Sequence, residues 1–116
     1  MAKVFAIHHL ELRNDADAAE FERFVCDELN PQPSFPGWQM SIAKGERGEN
    51  VGKYLFIIEI ESLEARNRDI PGDGPFSPEL QQWLADSAAL NEKLNSFLTK
   101  AMGSEAPHTD YVVVGN

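Results

Sequence analysis

Tyr54-Leu55-Phe56-Ile57-Ile58-Glu59-Ile60 is apolar at almost every position, odd and even alike. A strand with that pattern is covered on both faces, so this stretch predicts the centre of a sheet, over residues 53–61. Upstream, Lys44-Gly45-Glu46-Arg47-Gly48-Glu49-Asn50-Val51-Gly52 is polar and glycine-rich, as a long hairpin loop requires, and it leads back to a strand over residues 38–43. Downstream, Ser62 can cap a short helical piece that runs to Ile70, where Pro71-Gly72-Asp73-Gly74-Pro75 breaks the chain.

Further out, residues 3–13 hold many β-formers and neither Gly nor Pro, and they predict the first strand. Asn14 or Asp15 offers the cap of a first helix. Its face repeats at three and four residues through Ala18, Phe21, Phe24, Val25, Glu28 and Leu29. The proline-rich stretch after Asn30 ends that helix. A second long helix starts with Ser77 as cap and Pro78 at its first position. Leu80, Trp83, Leu84 and Ala88, then Leu94, Phe97, Leu98 and Met102, mark its buried stripe. The stripe slips between Asp86 and Asn91, which predicts a kink or break, and Gly103 ends it. Tyr111-Val112-Val113-Val114 predicts the last strand.

The predicted order is strand, helix, strand, strand, helix, strand, which is an α+β class with a four-stranded antiparallel sheet in a ferredoxin-like β-α-β-β-α-β arrangement. With 116 residues the chain is expected to form a single domain, 1–116. Two helices cover only one sheet face, yet both faces of the strands are apolar. Phe5, Ile7, Leu55, Ile57, Val112 and Val114 are expected on one side, with Val4, Ala6, Tyr54, Phe56, Ile58, Tyr111 and Val113 opposite. Leaving either set exposed makes an apolar patch larger than monomers tolerate. At about 25 cal/mol per Å² such a patch favours association, so a homodimer through the open face is expected.

The chain resembles the dimeric α/β-barrel superfamily over residues 3–114. The likeness rests on the element order, on the apolar first, third and last strands, and on Gly52-Lys53-Tyr54-Leu55-Phe56-Ile57-Ile58-Glu59-Ile60-Glu61-Ser62 followed by a short helix. That group includes antibiotic-biosynthesis monooxygenases, stress-responsive barrel proteins and many members of unassigned function. The resemblance implies a cavity between sheet and helices, and cofactor-independent, monooxygenase-like chemistry on a small, partly aromatic molecule.

Charge and cysteine content narrow the partners. Nineteen acidic against ten basic residues give a net charge of −9, which repels phosphate backbones and anionic lipid and argues against nucleic-acid and membrane-surface roles. One cysteine, Cys26, forms no intrachain disulfide and fits a reducing, cytoplasmic compartment. The first residues become charged too soon for a signal peptide, and no apolar run approaches the ~20 residues that span a bilayer.

His8-His9 is the unusual feature of the first strand. Neighbouring strand residues face opposite sides, so one imidazole belongs to the helix side and the other to the subunit seam. Either could be a general base, or a structural histidine that is simply hydrogen-bonded. Glu59 either pairs with a histidine of the first strand or faces solvent. Trp38, Tyr54 and Trp83 form a pocket wall or part of the core. Arg66, with Arg68 nearby, reaches an anionic ligand group or pairs with the surplus acids. Cys26 reads as a buried, inert thiol. His108, placed in a loop, completes no metal-ligand spacing, so no metal and no cofactor are expected. Gly45, Gly48 and Gly52 fit no phosphate-binding pattern, and no helix follows them. Three readings remain: a small-molecule or enzyme pocket, a non-catalytic dimerisation module, and a haem-handling barrel that needs a histidine in its cavity.

Overall fold

The computed structural model describes residues 2–103 and 105–115; Met1, Ser104 and Asn116 lie outside the described residues. Four strands form one antiparallel sheet: β1 (Val4–Leu10), β2 (Trp38–Lys44), β3 (Tyr54–Ile60) and β4 (His108–Val112), in the spatial order β2-β3-β1-β4. The apolar stretch 54–60 is therefore an inner strand, as its sequence requires. Between β2 and β3 the hairpin loop closes through Gly45 N–H to the Lys53 carbonyl, at 2.8 Å. A Cβ at Gly45 would stand 2.0 Å from the Asn50 carbonyl oxygen, so only glycine fits there.

Four α-helices accompany the sheet among the described residues: α1 (Ala18–Phe24), α2 (Leu63–Asp69), α3 (Pro78–Asp86) and α4 (Ala88–Ser96). Asp17, not Asn14 or Asp15, caps α1. Its carboxylate accepts from the Ala19 and Glu20 amides, and a turn at Asn14 and Asp15, closed by the Ala16 amide on the Arg13 carbonyl, precedes it. The helix then widens into a π-turn over Val25–Leu29, closed by the Asn30 amide on the Val25 carbonyl, and ends before Pro31. Ser62 and Ser77 cap α2 and α3 as their positions predict, and Pro78 opens α3. The slip in the second apolar stripe is a true break. Ser87 separates α3 from α4, with its hydroxyl turned back onto the Trp83 carbonyl.

The buried core is divided. One cluster gathers Phe21, Phe24, Tyr54, Phe56, Leu94 and Leu98; the other gathers Val4, Phe35, Trp38, Ile60, Ala65 and Leu80. Met40 and Ile58 touch both. Neither cluster contains a residue of the opposite sheet face. There Phe5, Ile7, Leu55 and Ile57 are half-buried, and Tyr111 is 54% exposed. No helix of the described residues is long and apolar enough to cross a membrane.

Three expectations are corrected. The last strand starts at His108 rather than Tyr111, because its polar first half pairs with β1: His8 stands opposite His108, and Ala6 opposite Asp110. Its faces are thereby exchanged. Val112 shares the helix side with Val4, whereas Tyr111 joins Phe5 on the open side. Val114 lies beyond the strand and is 96% exposed. Cys26 is exposed, on the solvent side of a turn whose buried side holds Phe24 and Val25.

Candidate functional site

Where the two core clusters fail to meet, a cavity of about 780 Å³ lies between the sheet and the helices. Its floor is the helix-facing row of the inner strands: Ala6 and His8 on β1, Phe56 and Ile58 on β3, Met40 and Ile42 on β2. Ala6 contributes little volume at the middle of that floor. The roof comes from the α3–α4 break, where Ser87 and Ala88 again are small, and from Leu80, Leu90 and Leu94. The size suits a small organic ligand, and the walls expose more apolar than polar surface.

An aromatic group closes one end. Trp38 packs edge-on against Phe35 at 5.0 Å and against Trp83 at 6.0 Å. The Trp83 indole donates to the Pro33 carbonyl at 3.3 Å, which holds the ring over the loop that follows the π-turn. Trp38 is 8% exposed, and its indole nitrogen is buried with no hydrogen-bond partner. An unmatched buried donor costs about 1–3 kcal/mol, so this indole is held there at a cost.

A histidine pair stands on the β1–β4 side. His8 is 8% exposed, lies edge-on to Phe56 and stacks on His108 with ring centroids 5.0 Å apart. Its Nδ1 is buried and unpartnered. Burial, and then the neighbouring His108, hold its pKa below the ordinary 6.5, while Asp110 pulls the other way. His8 is thus neutral at pH 7, the state in which an imidazole accepts a proton. Asp110 is itself tied to Arg66 of α2 by an ion pair.

The remaining singled-out residues lie elsewhere. His9 is exposed on the opposite face, with its backbone amide on the Pro107 carbonyl. Glu59 shares that face and sits 3.6 Å from Lys3; across the strands it meets Phe5 and Gln39, so no carboxylate–imidazole pair forms. Tyr54 is a core residue whose hydroxyl donates to Glu22 of α1, a carboxylate also held by Lys44 at 2.9 Å. That phenol is pushed up first by burial and then by the carboxylate it serves, and it is not a wall of the cavity. Arg66 reaches a carboxylate of this chain rather than the cavity. Of the residues read as site candidates, the cavity brings together His8, Trp38 and Trp83.

Sequence reading missed His108 and Asp110, because an exposed, polar edge strand carries no apolar alternation to reveal it. It also missed Asp69, 2% exposed, which accepts from the Ser77 hydroxyl at 2.8 Å and pairs with Arg68 at 3.0 Å. That carboxylate is held low chiefly by its Arg68 hydrogen bond, and it ties the end of α2 to the start of α3. No cluster of three or more His, Cys, Asp or Glu suited to a metal occurs among the described residues. Comparison of the chain with protein-family models, with curated proteins and with solved structures gives no match.

Proposed function

We propose that this chain is a dimeric α/β-barrel protein that binds a small, partly aromatic molecule between its sheet and helices, with His8 as the proton-accepting group. The cavity of about 780 Å³ with His8 and two tryptophans on its walls carries the reading. Strand order β2-β3-β1-β4, with β1 and β3 at the centre, supports the ferredoxin-like arrangement. A neutral, desolvated imidazole beside a bound ligand would take a proton from an acidic O–H or C–H. That is the opening step of cofactor-independent, monooxygenase-like chemistry, in which dioxygen is the co-reactant.

The test begins with binding. Titration calorimetry against small aromatic alcohols and phenols should give saturable binding, and Ala88→Trp, which fills the roof, should weaken it at least tenfold. Equal affinity in Ala88→Trp would show that the ligand binds elsewhere. Oxygen uptake in the presence of a bound phenol, lost in His8→Phe while binding persists, is the outcome expected of an enzyme.

A second reading, an assembly module without catalysis, is favoured by the open sheet face, where Phe5, Ile7, Leu55, Ile57 and Tyr111 lie together. The two readings share the dimer. Light scattering at micromolar concentration should give twice the 12.9 kDa chain mass. A value at the single-chain mass would remove the dimer from both.

A further inference from the structure

Among the described residues the cavity wall holds no lysine or arginine, although the chain has ten. Five of the chain's basic groups are engaged in ion pairs. Arg66 is on Asp110, Arg68 on Asp69, Lys44 on Glu22, Lys93 on Glu28 and Lys3 on Glu59. Among the described residues, the wall's carboxylates are Asp110 and Glu92. Its remaining polar groups are uncharged side chains, such as Asn30, Gln32, Asn91 and Asn95, together with His8 and His108.

A ligand carboxylate or phosphate entering this space would give up its water and meet no cation. An ionised group that is desolvated without a partner is strongly disfavoured, whereas a hydroxyl or carbonyl can be satisfied by amides. The surplus of acids over the rest of the chain adds repulsion in the same direction. Resting on the binding reading above, we infer that the cavity discriminates by ligand charge: it takes uncharged aromatic molecules bearing hydroxyl or carbonyl groups and rejects their anionic counterparts. The apolar floor supplies affinity and the amides on the helix side supply orientation. Charge exclusion is then a property of the wall and needs no lid.

Three naphthalenes of nearly equal shape test this at pH 7 by titration calorimetry on the full chain: 2-naphthalenemethanol, 2-naphthoate and 2-naphthylmethylammonium. The alcohol is expected to bind at least tenfold tighter than the carboxylate, with only a weak dependence on salt. Leu90→Lys, which places a cation on the roof, should narrow that gap by raising carboxylate affinity, and its circular dichroism and melting profile report whether the fold persists. Ala88→Lys serves as a second variant at an exposed roof position. Carboxylate affinity equal to or above that of the alcohol overturns the charge rule while leaving the cavity a binding site. Tighter binding of the ammonium ion than of the alcohol also overturns it, by making the wall a cation site. Binding of none of the three removes the cavity reading itself, and the charge rule with it.

Discussion

The two faces of the sheet are built from the same strands and differ in what covers them. On one, Val4, Leu10, Tyr54, Phe56 and Ile60 are buried beneath helices, and His8 sits among them with a nitrogen that finds no partner. On the other, Phe5, Ile7, Leu55 and Ile57 are equally apolar yet only half-buried, while His9, Gln39, Ser41 and Ala43 are exposed. The covered face spends its apolar side chains on two separate clusters and leaves a space between them. The open face holds its apolar residues toward the centre and most polar ones toward the rim. Hydrophobicity alone does not separate the covered face from the open one here; the placement of the helices does.

That contrast can be broken in four ways. Phe21 is fully buried and packs against Tyr54 and Phe97, so Phe21→Ala should cost about 3–5 kcal/mol in denaturant unfolding. A loss below about 1 kcal/mol would mean that the helices contribute little to the covered face. Asp69→Ala should cost about 1–3 kcal/mol, by leaving the Ser77 hydroxyl and α3 without their anchor. Restoration by Asp69→Asn would locate the effect in hydrogen bonding rather than charge.

Ile57→Asp places a charge at the centre of the open face and, if the proposed dimer forms there, should halve the mass seen by light scattering, with unchanged far-UV circular dichroism. A parent-sized particle in that variant would show that the open face is not the seam. The smallest effect is on pH dependence. Because the folded-state pKa of His8 is depressed, the unfolded chain binds the proton more readily. Its contribution is therefore complete above the ordinary 6.5 and declines as pH falls toward the folded value, by at most about 1.4 kcal/mol per pH unit. Asp110 with its Arg66 partner, and His108, face the same imidazole, and His8→Phe should flatten the profile between pH 7 and 5. An unchanged slope would assign the titration to another group.

The first three strands and the caps of α2 and α3 were legible because local chemistry decides them. The run 54–60 could only be an inner strand, Ser77-Pro78 could only open a helix, and the slip after Asp86 marked a break that Ser87 fills. The floor of the site follows from alternation along β1 and β3 once the helix side is known. What stayed hidden depends on register and on long-range pairing. The identity of the edge strand rests on hydrogen bonds to residues about a hundred positions away, and a shift of one residue exchanges its faces. The stacking of His108 on His8 follows from that register and leaves no trace in either residue's neighbourhood. Cavities are likewise invisible in a sequence, because they record where side chains from four or five elements stop short of one another.

Both of the chain's tryptophans stand at the same end of the cavity, one on β2 and one on α3, 6.0 Å apart with their rings inclined at 65°. Two indoles that close and oblique couple their electronic transitions, so their ultraviolet circular dichroism carries a paired band set by the distance between helix and sheet. Motion of α3 away from β2 would collapse that band without any label being attached. The protein thus contains an optical ruler between β2 and α3 at one end of its own cavity, readable in solution and on the timescale of stopped-flow mixing.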